Sequence, residues 1–104
     1  MASYRRKLDI IADILLVVRK GAGKTRIMYQ ANLSYKLLTK YLDDVMKASL
    51  VCFVDNRNCY VLTSKGEQFL ERYKDYSRRN KHVEKRLDFI RDKRKALEEL
   101  CSSD

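Results

Sequence analysis

Apolar side chains recur at helical spacing from the start of the chain. Leu8, Ile11, Ala12, Leu15 and Val18 fall on one face of a helix predicted over residues 4–20. Gly21-Ala22-Gly23 should stop it. Thr25 is the predicted N-cap of a short helix over 26–31, and Asn32-Leu33 makes a tight turn. Ser34 then caps a third helix, 35–48, with two distinct faces. Leu38, Tyr41, Leu42, Val45 and Met46 form one stripe, and Lys36, Lys40, Asp43 and Lys47 form the other.

The period then changes. Residues 50–54 and 59–63 are β-branched, aromatic and apolar, and Asp55-Asn56-Arg57-Asn58 between them is turn chemistry, so a β-hairpin is predicted. Pairing Val54 with Cys59 puts Val51, Phe53, Tyr60 and Leu62 on one face, expected to be the core one. From Ser64 to about Leu100 the pattern returns to a helix, roughly 55 Å long. Phe69, Tyr73, Tyr76, Asn80, Val83, Leu87, Ile90, Arg94, Leu97 and Cys101 are spaced alternately by four and three, a heptad seam. A lone helix with such a seam needs a partner, and a homodimeric coiled coil is the simplest supply. The expected class is α+β, mainly α: residues 1–63 form a winged helix-turn-helix head, and 64–104 a coiled-coil dimerisation helix.

Charge changes the picture. The net charge is +9, and residues 1–64 carry 11 Lys and Arg against 5 Asp and Glu, an excess of 11 − 5 = 6. Such an excess points to a polyanionic partner. In this topology the third helix enters the major groove of double-stranded DNA. The candidate contacts on and before it are Lys24, Ser34, Tyr35, Lys36, Thr39 and Lys40. Asn56, Arg57 and Asn58 at the hairpin tip form a wing, and Arg5, Arg6 and Lys7 add to the field. Hydroxyls and ammoniums suit phosphate oxygens. The strong base readers, Arg for guanine and Asn or Gln for adenine, are missing from residues 35–48, so weakly specific, backbone-dominated binding is expected. With about six phosphates neutralised per head, affinity should fall on the order of a thousandfold between 50 and 200 mM salt.

Other chemistries are not supported. Gly21-Ala22-Gly23-Lys24-Thr25 has the look of a phosphate-binding loop, but Val18 stands where that loop needs its first glycine. Cys52, Cys59, Cys101 and His82 match no zinc spacing, so no metal or cofactor is expected, and no catalytic constellation is present. The odd cysteine count without CxxC suggests a reducing compartment. The run Ile10 to Val18 is too short for a membrane span. A cytoplasmic, chromosome-associated protein is expected.

Three stretches sharpen this reading. Residues 8–15 (LDIIADIL), 25–35 (TRIMYQANLSY) and 60–66 (YVLTSKG) resemble the archaeal 10a family of small chromatin-associated winged-helix DNA-binding proteins. The resemblance spans essentially the whole chain. It departs in the apolar, cysteine-bearing Val51-Cys52-Phe53-Val54, where more polar residues are expected. The seam and its flanks disagree on coiled-coil orientation. Antiparallel pairing lets Arg94 stack on Tyr76, whereas parallel pairing lets Arg79 meet Glu84 and Lys93 meet Glu98. The resemblance implies the antiparallel dimer, with a DNA-binding head at each end and a role in compacting or bridging the chromosome. Competing readings are a sequence-specific transcriptional regulator and a dimerisation module for another protein. RNA is a secondary partner that the same basic surface admits.

Overall fold

The structure, a computed structural model, describes residues 5–101. In chain order the elements are α1 (Lys7–Val18), α2 (Lys24–Gln30), α3 (Tyr35–Lys47), β1 (Val51–Val54), a 3-10 turn (Asp55–Arg57), β2 (Cys59–Leu62) and α4 (Ser64–Leu100). This is the expected class, mainly helical with one small antiparallel sheet. The expected start of α1 at residue 4 lies outside the described residues. Its other end falls at Val18, two residues early. Gly21 there adopts φ +86° and donates its N–H to the Val18 carbonyl at 2.9 Å.

One cap is corrected. Gly23, not Thr25, opens α2: it has the extended backbone an N-cap needs, and its carbonyl accepts from Ile27 at 3.1 Å. Ser34 caps α3 as expected, its Oγ accepting from the Leu37 N–H at 3.2 Å. Helices α2 and α3 close in the same way. After α2, Asn32 (φ 54°) donates to the Tyr29 carbonyl and Leu33 to that of Met28. After α3, Ser49 (φ 62°) donates to the Met46 carbonyl and Leu50 to that of Val45. In each case a left-handed residue turns the chain and the next, apolar residue drops back into the core.

The core forms where three helices and the hairpin base meet. Ile14, Leu15 and Val18 of α1 are almost solvent-free, as are Ile27 of α2, Leu38 and Val45 of α3, and Val51 of β1. The hairpin has the predicted register, Val54 opposite Cys59 and Val51 opposite Leu62. Val51 is buried, and Tyr60 and Leu62 pack against the core. Phe53 shares their face but sits beyond the edge of the core, 38% exposed, with its ring edge-on to Tyr60 at 4.9 Å between centroids. One pairing went unforeseen. Ala22 exchanges both backbone hydrogen bonds with Tyr60, at 2.8 and 3.0 Å, and so ties the hairpin to the link between α1 and α2.

The Leu62-Thr63-Ser64-Lys65-Gly66 stretch fastens the start of α4 to the end of α3. Thr63 Oγ1 donates to the Ser49 carbonyl (2.7 Å) and accepts from the Gly66 N–H (3.0 Å). Lys65 donates to the Ala48 carbonyl at the C-terminal end of α3 (2.7 Å), where a cation also suits the helix dipole. The helix was expected to begin a separate domain at residue 64. Its first turns instead pack on the core through Leu70, Phe69 and Tyr73, and the Tyr73 hydroxyl donates to Asp9. The head's compact unit therefore runs through Tyr73, and a second unit begins at Lys74. Among the described residues no helix is long and apolar enough to cross a membrane.

Two substitutions at these junctions should move stability in opposite directions. A Cβ at Gly66 would lie 2.3 Å from the Leu50 carbonyl oxygen and 2.4 Å from Leu62 Cδ1. Gly66→Ala should cost about 2–3 kcal/mol, a fall in Tm of roughly 10 °C or more. Ser49→Gly relieves a left-handed serine and should stabilise by about 0.5–1 kcal/mol. Thermal melts of the two variants check both.

Candidate nucleic-acid interface

Helix α3 is the most two-sided element of the head. Leu38, Tyr41, Leu42 and Val45 are buried, and Lys36, Lys40, Asp43 and Lys47 are all exposed on the opposite side. The outer face is not uniform along its length. In the C-terminal half, Lys47 pairs with Asp43 at 3.0 Å. The hydrogen bond that Lys47 donates to Asp43, and then the Asp43 charge, hold the Lys47 ammonium above the ordinary lysine range. In the N-terminal half, Lys40 lies over the Tyr41 ring, 5.5 Å from the centroid, and among the described residues neither Lys36 nor Lys40 forms an ion pair. The free positive charge thus lies toward the N-terminal end, where the helix dipole also favours an anion.

The hydroxyls beside these lysines are partly engaged. Ser34 Oγ accepts from Leu37 as the cap, which leaves its own proton to donate outward. Thr39 is different: Oγ1 donates to the Tyr35 carbonyl at 2.9 Å, so its proton is held within the helix. Tyr35 is 64% exposed at the first helical position.

Arg5 is turned inward. Its guanidinium donates to Asp13 at 2.9 Å and to the Ala31 and Asn32 carbonyls, both at 2.7 Å. Those carbonyls belong to the turn between α2 and α3, so Arg5 braces the turn that sets the direction of α3. Arg6 and Lys7 are exposed where α1 begins, and the Arg6 N–H donates to Asp9.

The wing tip and the start of α2 are brought together. A cleft of about 500 Å³ is lined by Gly23, Lys24, Thr25 and Arg26 on one side and by Phe53, Asn58 and Tyr60 on the other. Asn58 takes the left-handed conformation that closes the hairpin, and Asn56 and Arg57 lie exposed in the 3-10 turn before it. Of the expected contacts, Lys24 and Asn58 therefore share one site. Arg26 lines the same cleft and was not among the expected contacts. Nothing in the sequence marks Ala22 as the link that holds the wing there.

On α4 the seam divides. Phe69 and Tyr73 stack within the head, with ring centroids 6.2 Å apart. Tyr76, Val83, Leu87, Ile90 and Leu97 are 45–63% exposed. Arg94 pairs with Glu98 at 3.7 Å, and Asn80 donates to Glu84 at 3.2 Å, each along its own helix. Cys101 is exposed.

Comparison with known proteins agrees with this architecture. One uncharacterized protein of Methanocaldococcus jannaschii is 37% identical over 75 residues, 71% of this chain and 35% of its own length. A second from the same organism is 32% identical over 65 residues, 62% of this chain and 65% of its own. The chain thus spans about a third of the first relative and just under two thirds of the second. The crystal structure of Sso10a-2, described as a DNA-binding protein from Sulfolobus solfataricus, superposes with a TM-score of 0.74 at 22% identity, covering 96% of this chain and all of that one. The resemblance drawn from the three sequence stretches holds at the level of the fold. The winged helix-turn-helix family model matches residues 4–81, most of the chain, and with three helices, a two-stranded wing and the α4 start all in place, the chain belongs to the winged helix-turn-helix family.

Proposed function

We propose that this protein binds double-stranded DNA through α3 and the wing, as a homodimer joined along α4. Binding is weakly sequence-specific and the role architectural: bridging or compacting the chromosome. The observation that carries the reading is the division of α3, whose apolar stripe fills the core while Lys36 and Lys40 stand exposed at its dipole-positive end. The head's charge excess, the basic cleft beside the wing and the fold shared with a protein described as DNA-binding support it.

The roles of the cations separate in a salt titration. Each phosphate contact contributes about 0.9 to the slope of log K against log salt. Lys36→Ala and Lys40→Ala should each lower the slope by roughly that amount and leave Tm nearly unchanged, since neither supports the fold. Arg5→Ala should do the reverse. It leaves two backbone carbonyls without their donor, lowers stability by about 1–2 kcal/mol and keeps the slope. A slope indifferent to both lysines, or no retention of duplex DNA at low salt, would overturn the proposal. A defined motif preferred over random DNA by more than about a thousandfold would replace the architectural role with a regulatory one.

The dimer rests on the exposed apolar row of α4, which repeats at heptad spacing and is too regular for a solvated face. Introducing Leu87→Glu together with Ile90→Glu should give a monomer by sedimentation with the head still folded. Orientation has its own test in a Cys52→Ser/Cys59→Ser background. A parallel pair sets Cys101 against Cys101 and cross-links on oxidation. The antiparallel pair proposed here holds the two Cys101 side chains at opposite ends of the coiled coil and should stay uncross-linked.

A further inference from the structure

The outer face of α3 carries more than charge. Tyr35, Thr39, Asp43 and Lys47 form one row at four-residue steps. The far half of that row is closed on itself by the Asp43–Lys47 pair. In the near half the polar atom of Thr39 is turned back onto the Tyr35 carbonyl, although the residue is exposed. An exposed threonine whose hydroxyl proton is spent on its own backbone offers its methyl group outward. One turn earlier on the same row is the Tyr35 ring, 64% exposed. An apolar strip, flanked by Lys36 and Lys40, therefore lies at the end of the helix that approaches DNA.

In the major groove only thymine presents a methyl group, and threonine methyls and aromatic rings are suited to meet it. We propose that Thr39 and Tyr35 contact thymine C5-methyl groups and give the protein a preference for thymine-bearing sites over and above its phosphate binding. This rests on the DNA-binding role of α3 proposed above. It also supplies base discrimination on a helix that has no arginine, asparagine or glutamine to read hydrogen-bonding edges.

The test compares two duplexes, one with thymine and one with uracil at every thymine position, at a single salt concentration. Base pairing and backbone charge are the same in both, and only the methyl differs. The full-length protein should bind the thymine duplex about fourfold more tightly for each methyl buried against the strip, the effect of burying one such group. Thr39→Ser keeps the hydroxyl and its backbone bond but deletes the methyl, so it should cut the preference about fourfold and leave only the share that Tyr35 carries. Thr39→Val keeps the methyl and should hold the preference. Equal binding of both duplexes by the unaltered protein, or a preference unchanged in Thr39→Ser, would overturn the assignment and leave phosphate binding standing. No binding to either duplex would remove the DNA-binding reading and this one together.

Discussion

The head depends on the burial of one helical stripe. Leu38, Tyr41, Leu42 and Val45 seat α3 against α1 and the base of the hairpin, and the orientation of every outward residue follows from that contact. A stripe of four apolar side chains fixes rotation about the helix axis, because turning it would expose several of them at about 1.5–3 kcal/mol each. Direction along the axis is set separately, by the two left-handed turns and their braces. Arg5 holds the first turn through the Ala31 and Asn32 carbonyls, and Thr63 and Lys65 hold the second through those of Ser49 and Ala48. Packing thus decides which face looks out, and hydrogen bonds decide where the helix points.

Much of this was legible in the sequence. The helical stripes, the Ser34 cap, the hairpin register and the long final helix all follow from local periodicity and turn chemistry, which act over a few residues. What was not legible depends on contacts between distant segments. Arg5 read as one cation in a basic run, and only the folded chain brings it to a turn 26 residues away. Thr39 read as a free hydroxyl, although threonine within a helix often bonds back to the preceding turn. The seam read as ten equivalent positions. Phe69 and Tyr73 turn out to serve the head's own core, since α4 leaves the hairpin already fastened to α3. The Gly23 cap was masked by the better capping residue two places on.

Glycine and left-handed positions show the same split between local and long-range causes. Gly66 looks like a poor residue for a first helical turn, where it costs about 1 kcal/mol against alanine. Its presence is explained only by the Leu50 carbonyl and Leu62 side chain lying against it. Asn32 and Ser49 occupy equivalent places after α2 and α3. Asparagine tolerates the left-handed region better than serine does, so the exit of α3 is held less by local preference and more by the Thr63 network around it.

Charge placement along α3 links the fold to its proposed use. Lys36, Lys40, Asp43 and Lys47 on its outer face, with Asp44 half-buried beside them, would offer phosphate a mixed surface if all were free. The Asp43–Lys47 pair removes one acid and one base from that surface together and leaves Asp44 beside them, and an exposed pair of this kind gives little stability in return. Its consequence is polarity: positive charge, the helix dipole, the Ser34 proton and the apolar strip of Tyr35 and Thr39 all gather in the first turns. Lys24 and Arg26 add charge at the start of α2, across a cleft from Asn58 of the wing. A polyanion lying along the whole of α3 would meet the half that carries the pair and Asp44 at no gain, whereas one approached by its N-terminal end meets every favourable group first. For the DNA binding proposed above, the arrangement therefore favours approach by that end of α3, with the wing and the start of α2 beside it.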